Sequence, residues 1–104
     1  MLTKKDILNI LHQYNTQYKS NGFEFISLFG SYARGTQDVF SDVDVSYKID
    51  HNVFFKDDGF AKLEKLNEIK KSLESKLHKK VDMIPNNTNN LLLQKSLVEE
   101  QIRL

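Results

Sequence analysis

The chain contains no cysteine among its 104 residues. That excludes disulfides, Cys-ligated zinc and thiol catalysis, and it fits a cytoplasmic setting. Long hydrophobic runs are also missing. The apolar stretches reach at most three residues, as in Leu91-Leu92-Leu93, whereas a bilayer span needs ~20. No membrane partner is therefore expected. The N-terminal Met1-Leu2-Thr3-Lys4-Lys5-Asp6 has no apolar core for a secretory signal. Excess charge is absent too. The formal net charge of +1 argues against direct DNA binding, and with it against polymerase or nuclease activity. With no internal repeat and no long linker, residues 1–104 read as a single domain.

Enough apolar surface is present to fold. Hydrophobic residues make up 39% of the chain and aromatics 11%, sufficient for one modest core. The charges are unevenly placed. Residues 38–58 carry six Asp against two Lys, and residues 59–80 carry seven Lys against three Glu. One reading is a lysine-rich solvated helix beside an acidic loop. The other is that some of the acidic residues are gathered to hold a cation, and their spacing must decide.

Periodicity places the elements. Residues 3–19 form a helix capped by Thr3 with Asp6 in its first turn, and Ile7, Leu11, Tyr14 and Tyr18 share a face. Asn21-Gly22 stops it. Phe23–Phe29 reads as a covered strand, with Phe23, Phe25 and Phe29 on one side and Ile26 and Leu28 on the other. Gly30–Gly35 is a tight connection opening with a helical turn. Val43–Ile49 alternates, with Val43, Val45, Tyr47 and Ile49 opposite Asp44, Ser46 and Lys48. After the break at Asp57-Asp58-Gly59, residues 59–78 form a second long helix on Phe60, Leu63, Leu66, Leu73 and Leu77. Lys80–Ile84 is a short strand stopped by Pro85. The polar run Asn86–Asn90 is a loop and cap, and residues 89–103 form a last helix, whose many apolar residues allow an interaction face. The order αβ(turn)βαβα indicates an α/β (α+β) domain, a small mixed sheet flanked by helices.

Three features carry chemistry. Gly30-Ser31 follows a strand, where glycine lets a ligand approach the backbone and a helical turn offers free N–H groups to phosphate. Asp42 and Asp44 lie two apart in a strand, so both carboxylates project from one face about 7 Å apart along the chain. Asp is disfavoured in strands, and a shared divalent cation would relieve the repulsion. Asp82 sits within the apolar strand Val81-Asp82-Met83-Ile84; if that strand neighbours the Asp42/Asp44 strand, three carboxylates converge. Taken singly, each has an ordinary structural explanation: a turn, a polar strand face, a capping Asp. His12, His51 and His78 lack metal-ligand spacing. The Lys70-Lys71 and Lys79-Lys80 pairs read as solvated surface or a basic rim.

The segment Phe29-Gly30-Ser31-Tyr32-Ala33-Arg34-Gly35 and the following Ser41-Asp42-Val43-Asp44-Val45 spell G-S-x10-D-x-D. This pattern resembles the signature of the DNA polymerase beta-like nucleotidyltransferase superfamily, and most of all its minimal single-domain (MNT) branch. The resemblance implies a nucleotidyltransferase-like fold. It implies that Gly30 and Ser31 hold a nucleotide triphosphate, with Arg34 and Ser41 as further contacts; for Arg34, and for Lys48 as another candidate phosphate contact, a plain surface charge or a local salt bridge is an equal alternative. Asp42, Asp44 and Asp82 would be catalytic and bind Mg²⁺ in a two-metal site, with ATP as substrate.

The same branch resembles the antitoxin half of HEPN/MNT toxin–antitoxin pairs. The implied function is a protein adenylyltransferase that transfers AMP to a tyrosine of a cognate HEPN ribonuclease toxin. Two other functions remain open: an antitoxin that masks its toxin by binding alone, and a nucleotidyltransferase for an aminoglycoside-like small molecule. A single small domain leaves little room for an acceptor site, so the acceptor is expected on a partner.

Overall fold

The computed structural model describes residues 2–50, 59–86 and 101–104. Helix α1 (Lys4–Tyr18) begins where the sequence placed its cap. The Thr3 hydroxyl accepts from the Asp6 N–H at 3.1 Å, and the Asp6 carboxylate accepts from the Thr3 N–H at 3.0 Å. This reciprocal box satisfies donors that a helix start otherwise leaves open, and it holds the Asp6 carboxyl below its usual range. A 3-10 turn (Lys19–Asn21) and Gly22, at φ +87°, reverse the chain into strand β1 (Phe23–Phe29).

Helix α2 (Gly30–Arg34) leads through a loop to β2 (Val43–Ile49), followed by α3 (Gly59–Leu77), β3 (Val81–Pro85) and β4 (Ile102–Arg103). The sheet runs β3-β2-β1-β4. β1 is antiparallel to β2 and β4, while β3 is parallel to β2. This is the mixed α/β architecture expected from the element order.

The core lies on one face of the sheet. There Ile7, Leu11 and Tyr14 of α1 and Ile69, Leu73 and Leu77 of α3 pack against Phe23, Phe25, Val43, Val45 and Val81. Ile69 completes a stripe that the sequence reading left incomplete. The Phe60 and Leu63 side chains lie outside the described residues. Tyr14 joins the helices, its hydroxyl 2.6 Å from the Ser72 hydroxyl and the Lys76 ammonium 5.5 Å above its ring. Among the described residues no helix is long and apolar enough to cross a membrane.

Two expectations need correction. The facing within β1 reverses midway. Phe25 stands opposite Tyr47 and Ser27 opposite Ser46, so Ile26 is the extra residue of a β-bulge. Beyond it Leu28, opposite Val45, joins the core, and Phe29, opposite Asp44, turns to the other face. A bulge shifts a period of two by one residue, which simple alternation cannot show.

The last helix, expected over 89–103, does not extend to its end. Ile102–Arg103 is a strand, paired Leu28 to Ile102 and Ser27 to Arg103. The Leu104 N–H continues the ladder to the bulged Ile26 carbonyl at 2.9 Å. Residues 89–100 of the expected helix lie outside the described residues, as do His51, Asp57 and Asp58.

Short β4 leaves part of the β1 edge uncovered, and a side chain closes it. The Asn15 amide donates to the Phe25 carbonyl at 2.9 Å and accepts from the Phe25 N–H at 2.7 Å. It thus supplies both ladder bonds that a neighbouring strand would give. Asn15→Leu should strand both groups and cost about 2 kcal/mol of stability, read as a lower urea midpoint. An unchanged midpoint would show that water replaces the amide without loss.

At the other edge, Pro85 ends β3 without an N–H to offer, and the Glu74 carboxylate accepts from the Val81 N–H at 2.9 Å. Both features blunt an edge strand.

Candidate functional site

The parallel pairing of β2 with β3 brings the carboxylates together. Asp44 stands opposite Asp82 in register, flanked by the pairs Val43–Val81 and Val45–Met83. The buried valines fix the strands on the core side, so both Asp side chains share the opposite face. Asp44 is half-buried and its pKa is pushed up to about 6. Burial is the largest cause. Repulsion from Asp82 and a hydrogen bond with it follow, then the weaker repulsion of Asp42; the Arg34 guanidinium acts in the opposite direction. Burial and a neighbouring like charge both disfavour the ionised Asp44.

The Gly30-Ser31 turn reaches this pair from β1. Phe29 is the register partner of Asp44, so the next residue passes directly over its side chain. Gly30 has φ +74°. A Cβ there would overlap the Asp44 carboxylate oxygen and stand 3.1 Å from its Cγ. Both facts demand glycine, for backbone conformation and for space. Tyr32 and Ala33 are buried and anchor α2, whereas Ser31 is half-buried and Arg34 exposed. The turn closes at Gly35, φ +77°, with the Ser31 carbonyl accepting from the Gly35 N–H and, at 3.0 Å, from the Thr36 N–H.

Ser41 has a local role. Its hydroxyl accepts from the Asp38 N–H at 2.9 Å and lies 3.3 Å from Asp38 Oδ1, which also accepts from the Phe40 N–H at 2.8 Å. The loop before Asp42 is thereby a defined turn. Sequence reasoning missed Asp38, although Asp-x-x-Ser before a strand is a turn signature that could have found it. Lys48 is not drawn to the carboxylates. It is exposed and pairs with Glu24 at 3.6 Å, four residues along β2 from Asp44. His12 likewise belongs elsewhere, in a cavity of about 660 Å³ between α1, β1 and β4 that shares no lining residue with the carboxylate pair. Cavity size does not mark the chemistry here.

The donor set suits a hard divalent cation through carboxylate oxygens, and a cation would relieve the repulsion that raises Asp44. Asp44 and Asp82 are in contact. Among the described residues no three acidic or imidazole side chains are gathered to metal-binding distance; Asp42, expected on the same strand face as Asp44, lies just before β2, which begins at Val43.

The raised Asp44 pKa sets a pH dependence. An acid whose folded pKa lies above its ordinary value of 3.8 favours the fold while protonated. That contribution is complete below about pH 4 and is lost as pH rises through about 6. Metal-free melting temperature should therefore carry a falling component over this window, removed by Asp44→Asn. An Asp44→Asn curve parallel to wild type would refute the assignment.

The geometry is thus a glycine turn pressed on one of two paired, strand-borne carboxylates. Comparison with known proteins defines it further. The family model for polymerase beta nucleotidyltransferases matches residues 5–104. A Methanocaldococcus jannaschii protein provisionally named protein adenylyltransferase MJ1215 is 34% identical over 89 residues, covering 85% of this chain and 94% of that protein. A solved structure described as a minimal nucleotidyltransferase, again provisionally, superposes with a TM-score of 0.73 at 20% identity, covering 99% of this chain and 97% of the other. A crystal structure of a toxin–antitoxin with AMP-PNP gives a TM-score of 0.60 at 25% identity, covering 98% of this chain and 72% of the other. The chain belongs to the polymerase beta nucleotidyltransferase family. The fold and enzyme class expected from the motif are thus borne out.

Proposed function

We propose that this protein is a Mg²⁺-dependent adenylyltransferase antitoxin that transfers AMP from ATP to a tyrosine of a cognate HEPN ribonuclease toxin. The observation that carries this reading is the in-register Asp44–Asp82 pair with the Gly30 backbone laid against Asp44. The relative named as a protein adenylyltransferase supports a protein acceptor. The toxin–antitoxin neighbour, with its AMP-PNP, supports both a toxin partner and an adenine nucleotide.

Asp42, Asp44 and Asp82 would hold the metal, which when bound supplies charge neutralisation for an in-line displacement at phosphorus. Gly30 and Ser31 hold the triphosphate, because the turn brings backbone close to the carboxylates without a side chain in the way. The acceptor oxygen attacks the α-phosphorus, the bond to the β-phosphate oxygen breaks, and pyrophosphate leaves. Asp82, in register beside Asp44 on β3, would take the hydroxyl proton. Catalysis is then mostly positioning and electrostatics.

The test is incubation with the protein encoded by the adjoining gene, Mg²⁺ and ATP labelled on the α-phosphate. Label should appear on a tyrosine of that protein and disappear with Asp42→Asn/Asp44→Asn. Label that persists in the double variant would overturn the site. Neutralisation that persists without any label would favour masking by binding.

A further inference from the structure

Val39 and Phe40 are large hydrophobic residues left at 73% and 88% exposure. Scattered exposed apolar side chains need no explanation. These two are adjacent and held rigidly. The Asp38–Ser41 turn closes under them through the hydrogen bonds to Asp38 Oδ1 and Ser41 Oγ and a further bond from the Ser41 N–H to the Asp38 carbonyl at 3.1 Å. From the other side, the Lys79 ammonium donates to the Val39 carbonyl at 2.6 Å. The tip is therefore tied through Ser41 to Asp42 and through Lys79 to the segment that delivers Asp82. Among the described residues no packing accounts for the two side chains, yet their backbone is tied to the segments that precede Asp42 and Asp82.

We propose that Val39 and Phe40 form a wedge that docks the acceptor protein, seated in an apolar pocket next to the acceptor hydroxyl. The inference rests on the protein-acceptor reading above and names the surface that serves it. Three observations select a protein as occupant. The wedge precedes Asp42 by two residues and is tied by Lys79 to the segment before Asp82, so a surface presenting a hydroxyl to those carboxylates comes up beside residues 38–41. A nucleobase would use one face of Phe40 and leave Val39 idle, whereas a protein pocket takes both. A rigid tip also loses little conformational freedom on insertion, and an aromatic anchor in a pocket is the usual centre of a protein interface.

The experiment uses the full chain carrying Val39→Ser/Phe40→Ser, with the protein encoded by the adjoining gene as probe. Both side chains are exposed, so the melting temperature should not fall. Acceptor KM should rise about ten-fold or more, with the KM for ATP and kcat nearly unchanged. Binding of the probe to Asp44→Asn protein should weaken by a similar factor when the wedge is also removed. Phe40→Leu should recover most of the loss. A rise confined to the KM for ATP would assign Phe40 to the nucleobase and overturn the proposal. Unchanged acceptor KM and binding would overturn it while leaving the adenylyltransferase reading intact. Absence of both labelling and binding with the wild-type wedge would overturn the acceptor reading and the wedge together.

Discussion

Asp44→Asn is expected to abolish nucleotidyl transfer, by about a thousand-fold or more, while making the metal-free protein more stable. The two effects share one cause. Asp44 is half-buried, faces Asp82 across the β2–β3 ladder and feels Asp42 two residues away, so its ionised form is disfavoured by burial and by like charge. Asparagine keeps the size and removes the charge. At neutral pH the gain should be modest, roughly 0.5–1 kcal/mol, because solvent screens a side chain that stays partly exposed.

Catalysis needs the charge that stability does not. Transfer at phosphorus depends on neutralising the triphosphate, and an amide oxygen is a far weaker partner for a divalent cation. Mg²⁺ should raise the wild-type melting temperature and have little effect on the variant. A variant that melts lower than wild type without metal would refute the repulsion argument. One that keeps full activity would remove Asp44 from the chemistry.

The second large effect is expected from the two glycines of the α2 turn, compared as a pair. Gly30 and Gly35 have nearly the same φ, +74° and +77°. They differ in surroundings: a Cβ on Gly30 meets the Asp44 carboxylate, whereas one on Gly35 has nothing within 4 Å. Gly35→Ala should therefore carry only the left-handed strain, about 1 kcal/mol, and keep most of its activity.

Gly30→Ala adds the collision. Either α2 lifts from the sheet and takes the Gly30-Ser31 backbone off the carboxylates, or Asp44 turns away from Asp82. About 2–4 kcal/mol of stability and a hundred-fold or larger part of the activity should be lost. Chemical denaturation and initial rates on the same two variants separate strain from collision. Equal losses at both positions would show that the contact with Asp44 has no consequence.

Much of this was readable along the chain. Thr3 and Asp6 sit at capping-box spacing and form the box, because a cap is a contact over four residues. β1 runs from Phe23 to Phe29 as the pattern required, bounded by glycine on both sides. What the sequence could not show involves partners distant in the chain. The Ile26 bulge depends on how β1 meets β2, and it reverses Leu28 and Phe29. Ile102–Arg103 became strand because the β1 edge offers unpaired backbone at Ser27 and Leu28, and tertiary pairing overrides local helix preference.

The carboxylate site divides the same way. By itself the sequence marked which groups could do chemistry: a glycine–serine turn after a strand, and Asp42 and Asp44 two apart, although β2 begins at Val43 and only Asp44 lies within the strand. Only the tertiary structure decided that Asp82, thirty-eight residues beyond Asp44, is its direct neighbour, because the parallel register of β2 and β3 is set by Val43, Val45 and Val81 packing into the core on the reverse face. Chain spacing fixes what lies within a few residues; burial of the opposite face fixes what meets across the sheet.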